Sequence, residues 1–309
     1  MINILYCGDR NIEDGLIISV LSLLKNVTEE LNILVMTLSL SKQEADSSQP
    51  ASGTKETESQ TACSETESAG RQILPVTEET IQYLDLLVKE ANPENRVSLI
   101  DATELFLKQI PAANMDTRFT PCCMLRLYAD QIPDMPERVL YLDNDVVCRR
   151  NFGDFYHQEM ENEELAGVLD YYGSWFFRRN LFHRDYLNSG VLLLNMKKIR
   201  ETGLFQRCRS LCETKKMFMP DQSAINKLAE HKKICNRQYN DQRRFHEDTV
   251  MQHFSTTFRF FPRVRTLTVK PWEVEKVHSV LKLHEYDDLL AEYIGVKAGM
   301  QSAAKEAAC

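Results

Sequence analysis

The chain of 309 residues has no apolar run of the roughly 20 residues that a membrane-spanning helix requires. No basic leader precedes its first strand-like segment, Asn3 to Cys7, and the sequence leads us to expect a cytoplasmic protein. The nine cysteines form no C-x-x-C pair and no regular framework. That speaks against a disulfide scaffold, and they read as reduced thiols. Positive charge is not in excess: 37 Lys and Arg stand against 45 Asp and Glu, a formal net charge of −8. A nucleic-acid-binding surface is therefore not expected. A glycine-rich phosphate loop is also missing near the first strand, where only Gly8 and Gly15 occur, and this counts against a nucleotidyltransferase. What remains is an ordinary globular composition, 43% hydrophobic and 27% charged, long enough for one large α/β domain or two smaller ones.

The stretch that organises this chain is Arg138 to Cys148, RVLYLDNDVVC. Val139 to Leu142 read as a buried strand of a parallel sheet. The run then breaks into Asp143-Asn144-Asp145 and resumes at Val146-Val147. Two carboxylates at the end of a buried strand need a partner, because unpaired buried charge is costly. Alternate strand residues share a face, so Asp143 and Asp145 can converge on one point. A hard divalent cation takes one or two carboxylates and completes its shell with phosphate oxygens and water. The two readings are a metal held for a diphosphate and a solvated Asp-rich turn.

Asn3 to Cys7, a polar turn at Gly8 to Asn11, a helix with apolar Leu16, Val20, Leu23 and Leu24, and a strand at Asn32 to Leu38 make a βαβ unit. Ligands of open α/β sheets sit at the carboxyl ends of the strands, which puts Asp9 and Asn11 at that rim. Turn chemistry explains the same two residues equally well. Ser41 to Gly70 is rich in Ser, Thr, Glu and Gln, holds no aromatic residue and reads as a disordered surface insertion. Thr77 is a helix N-cap candidate, Val97 to Ile100 a third strand, and Thr120-Pro121 the opening of a helix that carries Arg126. Ala166 to Leu169 is strand-like and ends at Asp170. Tyr171, Tyr172, Trp175, Phe176 and Phe177 follow, an aromatic group that suits a sugar ring or plain packing. Val191 to Leu194 is a buried strand, Met196 to Cys212 a helix, and Met219-Pro220-Asp221-Gln222 opens another. Val277 to Tyr293 is helix-like, and Gly299 to Cys309 reads as a frayed end.

The order of ILYCGDRN, MLRLY, VLYLDNDVV, YLNSGVLLLNMKKIR, MPDQSAIN and HF followed by KPW resembles glycosyltransferase family 8, which includes bacterial lipopolysaccharide galactosyltransferases and glycogenin. The resemblance covers nearly the whole chain apart from the insertion. It implies an α/β fold, a nucleotide-sugar-binding Rossmann-like mixed sheet flanked by helices, of GT-A type. It implies one domain over residues 1–295, with 41–72 as the insertion and 296–309 as a flexible tail. The implied activity is retaining transfer of a hexose, galactose or glucose, from a UDP-sugar to a glycan, lipid-linked or protein hydroxyl. A lipid-linked acceptor would bring the protein peripherally to the inner face of a membrane. The alternative is a nucleotide-sugar-binding protein of the same fold with impaired catalysis.

By the same resemblance, Asp9 and Asn11, beside Cys7, look like the residues that hold uracil and ribose. Arg126 looks like the cation near the diphosphate and sugar, and Lys270 like the lysine on a phosphate oxygen. Asp143, Asn144 and Asp145 match the metal-binding D-x-D, with His253 as third ligand. Asn188 and Asp221 look like contacts to the transferred sugar, and Gln222 like the polar residue near the anomeric carbon. Two carboxylates and one imidazole fit Mn²⁺ somewhat better than Mg²⁺, because imidazole is the softer donor. A glycosidase would need two carboxyl groups flanking the scissile bond, a role closed to carboxylates that ligate a metal.

One departure stands out. The family pattern is H-F-x-G-x-x-K-P-W, but here Lys270 lies 17 positions after His253, 11 more than the pattern has. Alternating Phe258, Phe260, Val264, Leu267 and Val269 around Pro262 predict a protruding hairpin that leaves His253 and Lys270 side by side at its base. Otherwise His278 or His284 would be the third ligand. Arg259, Arg263 and Arg265 of that hairpin would face the acceptor or a partner.

Overall fold

The computed structural model describes residues 1–41, 72–117, 120–172, 185–242, 244–259 and 265–307. The Ser41 to Gly70 insertion, most of the aromatic group after Tyr172, and Phe260, Pro262, Arg263 and Val264 of the hairpin therefore fall wholly or almost wholly outside the described residues.

Strands β1 (Ile2–Cys7), β2 (Leu31–Thr37) and β3 (Arg96–Asp101) alternate with helices α1 (Glu13–Asn26) and α2 (Glu78–Ala91). Thr77 does cap α2, its hydroxyl accepting from the Thr80 amide. After the short α3 (Thr103–Lys108) and a 3₁₀ helix at Pro121–Gln131 come β4 (Arg138–Leu142), β5 (Val146–Cys148), α4 (Gly153–Tyr156), β6 (Leu165–Leu169) and β7 (Leu187–Asn195). Then follow α5 (Met196–Thr202), α6 (Leu204–Thr214), α7 (Pro220–Leu228) and β8 (Lys232–Cys235), and then β9 (Met251–His253), β10 (Thr257–Arg259), β11 (Arg265–Leu267) and α8 (Asp287–Ala307).

The main sheet has seven strands in the order β3-β2-β1-β4-β7-β6-β8. Pairing is parallel from β3 through β4 and between β6 and β8, and antiparallel on both sides of β7. The sheet is therefore mixed, and β4 is parallel to only one neighbour. Period-2 alternation buries both faces. Ile4, Tyr6, Leu140 and Leu142 pack with α1 and α8, while Leu5, Val139 and Tyr141 pack with the 3₁₀ helix and α6. Full burial on two faces explains why these strands read as continuous apolar runs.

The helix that opens at Pro121 is 3₁₀ over 11 residues. Two local readings are corrected. Met196 to Cys212 is two helices, because Gly203 takes φ 65° at the end of α5 and redirects the chain. Val277 to Tyr293 is also interrupted: a π turn at Val277–Leu281 ends at Lys282, φ 57°, before α8 begins. Helix α8 itself runs on to Ala307. Val296 and Met300 pack on the core, and Lys297 Nζ lies 2.6 Å from Asp14.

Candidate active site

The Asp pair sits in a turn rather than on the strand. The Val146 amide donates to the Asp143 carbonyl (3.1 Å), so β4 reverses through Asp143-Asn144-Asp145 into β5. Strand parity still aims Asp143, since Tyr141 on the same face donates its hydroxyl to Asp143 Oδ1 at 2.7 Å. β5 pairs antiparallel with β9, with Val146 opposite His253, and the Phe254 amide donates to the Asp145 carbonyl (3.0 Å). This places His253 Nε2 3.2 Å from Asp145 and 3.7 Å from Asp143. Candidate ligand atoms of Asp143, Asp145 and His253 all lie within 4.8 Å of one another.

The hairpin closes as its alternation predicts. Thr257 pairs with Leu267, Phe258 with Thr266 and Arg259 with Arg265. Thr256 and Thr268 hydroxyls lie 2.9 Å apart at its base. The chain therefore returns, and the Lys270 ammonium pairs with Asp145 Oδ2. The extra residues leave His253 and Lys270 on one carboxylate. His278 and His284 face Asp287 instead, at 2.7 and 3.3 Å, with their rings stacked.

Opposed charges set the protonation of this cluster. Burial pushes the Asp145 carboxyl upward, but Lys270 and His253 outweigh it and hold the group far below its ordinary range. Burial lowers His253 and Lys270, yet Asp145 lifts both above their ordinary values. The residues fit a divalent cation: two carboxylates and an imidazole converge, and an ammonium already holds a cation's place on Asp145.

Arg126 forms the second half of the site. It is 3% exposed, donates to the Ser189 carbonyl (2.6 Å) and Asp143 Oδ1 (2.9 Å), and pairs with Asp221 at 3.4 Å. Its guanidinium lies over the Tyr141 ring, 3.8 Å from the centroid. The 3₁₀ helix aims it, because residues three apart share a face, and Arg126 Nε also donates to the Cys123 carbonyl (3.1 Å). Asp221 and Gln222, in the first turn of α7, face β7: Ser189 donates its hydroxyl to Asp221 (3.1 Å) and its amide to Gln222 (2.9 Å). Asn188 and Gln222 both donate to Asp170 Oδ2, at 2.9 and 3.3 Å.

Asp9 and Asn11 stand just beyond β1. Asp9 accepts the Asn11 amide (3.0 Å), so turn chemistry accounts for one of its oxygens. Asn11 is exposed, and burial lifts the Cys7 thiol to about 12. Asn144 packs against α1 at Gly15, where an added Cβ would meet its side chain at 2.5 Å and Trp272 at 2.6 Å. Gly190 is equally confined: a Cβ there would run into His253 Cε1 and lie 2.6 Å from His253 Nδ1 and 2.9 Å from Asp143 Oδ2.

Sequence reasoning missed Tyr141, Gly190, Asp170 and Asn240. Asp170 carried a signal, since it ends a buried strand as Asp143 does. Asn240 carried none.

A model of glycosyl transferase family 8 matches residues 3–260. The chain belongs to that family. Glycosyltransferase GlyA of Streptococcus pneumoniae serotype 4 is 30% identical over 128 residues, 40% of this chain and 17% of that protein. Lipopolysaccharide 1,2-glucosyltransferase of Escherichia coli is 27% identical over 173 residues, 52% of this chain and 50% of that one. This family 8 chain thus spans half or less of the length of these relatives. Among solved structures, an active-site mutant of LgtC superposes with TM-score 0.64 at 16% identity over 95% of both chains. The galactosyltransferase LgtC with donor and acceptor sugar analogues gives 0.60 at 15%, over 94% of this chain and 96% of that one. The fold is GT-A.

Proposed function

We propose that this family 8 chain is a divalent-metal-dependent glycosyltransferase. It moves a hexose from a UDP-sugar to a hydroxyl acceptor with retention of anomeric configuration. The observation that carries the reading is the convergence of Asp143, Asp145 and His253 beside two cations, Arg126 and Lys270. Asp143, Asp145 and His253 would hold the cation, Mn²⁺ before Mg²⁺. Bound there, a divalent cation stabilises the negative charge that grows on the departing diphosphate. Lys270 and Arg126 add fixed positive charge on the same side. Asp9 and Asn11 are assigned to the nucleoside, with Cys7 and Asn144 lining the approach. Asn188 and Asp221 orient the sugar, and Gln222 stands at the anomeric carbon as a positioning group, since an amide is a poor nucleophile.

The bond from the anomeric carbon to the diphosphate oxygen breaks while the acceptor oxygen bonds to that carbon from the same face. The acceptor's proton passes to the departing phosphate oxygen. The second reading, binding without catalysis, drew on the long spacing between His253 and Lys270. With both side chains on Asp145, that ground is weak.

The test is UDP release from UDP-galactose, UDP-glucose and UDP-N-acetylglucosamine across a Mn²⁺ titration. One donor should turn over in a Mn²⁺-dependent way, and Asp145→Asn should lose on the order of 10²-fold or more with its fold intact. UDP binding by calorimetry without turnover of any donor would favour the binding protein. Normal turnover by Asp145→Asn at limiting Mn²⁺ would remove the metal assignment.

A further inference from the structure

Asn240 lies just after a 3₁₀ turn at Arg237–Tyr239 and is 1% exposed. It links two parts of the site, Asn188 and His253, that lie 52 residues before it and 13 residues after it in the sequence. Its Oδ1 is 3.2 Å from His253 Nδ1, and its Nδ2 donates to Asn188 Oδ1 at 2.9 Å. Neither amide can be turned round. Asn188 Oδ1 also accepts the Gly190 backbone amide (3.0 Å), which can only donate, and Asn188 Nδ2 faces the Asp170 carboxylate. With Asn188 fixed, Asn240 must offer it Nδ2 and must present Oδ1 to the imidazole. An oxygen there can only accept, so Nδ1 of His253 must carry a hydrogen. That leaves Nε2, 3.2 Å from Asp145 and 3.7 Å from Asp143, as the nitrogen that would meet a cation held by those carboxylates.

The far end is fixed in the same way. Gln222 Oε1 accepts the Ser189 backbone amide (2.9 Å), so its Nε2 faces Asp170 (3.3 Å). The backbone holds Asn240 in register: the His253 amide donates to the Asp241 carbonyl (3.0 Å) and the Asp241 amide to the Met251 carbonyl (2.9 Å). The Asp241 carboxylate in turn accepts from the Thr249 hydroxyl at 2.6 Å.

We propose that Asn240 is a positioning residue with two ends, fixing the orientation and tautomer of His253 through Oδ1 and holding Asn188 toward the sugar through Nδ2, with Asp170 setting the polarity of the whole relay. The proposal rests on the metal reading above. Partners of this kind on the far nitrogen of a metal-binding imidazole typically matter 10–100-fold in metal affinity.

The two ends separate by substitution. Asn240→Asp keeps an acceptor for Nδ1–H but has no hydrogen for Asn188. Asn240→Leu removes both. Mn²⁺ alone, titrated into the full chain and followed by the electron paramagnetic resonance of free Mn²⁺, reads the metal end. UDP release at saturating Mn²⁺ reads the sugar end. Asn240→Asp should bind Mn²⁺ at or above the wild-type affinity yet transfer sugar on the order of tenfold more slowly. Asn240→Leu should bind Mn²⁺ about 10–100-fold more weakly. A merely structural role would weaken both variants alike, and that result overturns the proposal, as does wild-type Mn²⁺ affinity in Asn240→Leu. If Asn240→Leu does not fold, Asn240→Asp decides alone, and a tenfold loss of Mn²⁺ affinity in it overturns the proposal. A wild-type chain that takes up no Mn²⁺ overturns the metal reading itself, a distinguishable failure.

Discussion

Asp221 is a carboxylate kept where charge is unfavourable. Burial lifts its carboxyl above the ordinary value, and Arg126 offsets only part of that. A group whose folded-state value is raised contributes stability at acid pH and loses it as pH rises through that value. At neutral pH the ionised side chain is therefore a cost to the fold, retained for its place beside Arg126 and Ser189. Asp221→Asn should be more stable than wild type in urea denaturation, with a gain that is absent below about pH 3.8, grows as pH rises through the raised folded-state value and is constant above it, while transfer activity falls. A gain of equal size at every pH would show that the charge is not its source. A second residue-scale expectation concerns the histidines. His253→Ala should damage activity about as severely as Asp145→Asn, whereas His278→Ala and His284→Ala, which remove only contacts to Asp287, should stay near wild type in the same UDP-release assay.

At the scale of elements, α1 does more than cover the sheet. Its buried Ser19 donates to the Val146 carbonyl (2.7 Å), Ser22 accepts from the Cys148 amide (2.9 Å), and Asn26 donates to the Cys148 carbonyl (3.2 Å). These residues recur three and four positions apart, so one helix face supplies the hydrogen bonds that a neighbouring strand would give β5. The other edge of β5 pairs with β9. The strand after the Asp turn is thus clamped from both sides, which fixes Asp145 against His253. Ser22→Ala leaves the buried Cys148 amide without its partner. It should cost about 1–3 kcal/mol in urea denaturation and weaken Mn²⁺ binding as well. An unchanged midpoint would mean that β5 is held by β9 alone. In the sequence this helix was legible only through Leu16, Val20, Leu23 and Leu24, because period marks an apolar face but not the serines inside it.

For the whole molecule, Leu40 and Ile73 frame the insertion. Each donates its amide to the other's carbonyl at 3.0 Å, so the chain leaves and re-enters the fold at one point. Deleting residues 42–71 with a short Gly-Ser bridge should leave the melting temperature and UDP affinity nearly unchanged, because Ser41 to Gly70 has too little apolar surface to pack. Loss of soluble protein on deletion would show that the segment contributes to folding. No helix among the described residues is long and apolar enough to cross a membrane.

The sequence alone determined the α/β architecture, the positions of most strands, the Asp pair and the hairpin between His253 and Lys270, because apolar period, turn residues and short motifs are local properties. Tertiary structure decided the rest. Alternation along a strand suggested why Asp143 and Asp145 converge, but a turn clamped by α1 and β9 does it. Gly203 and Lys282 interrupt helices whose apolar spacing gives no warning, since a left-handed residue alters direction without altering pattern. Asn240 has no local signature. It matters only because β9 lies beside β5 and β7 carries Asn188 to within one hydrogen bond of it, and pairing between distant segments is not written in any window of the chain.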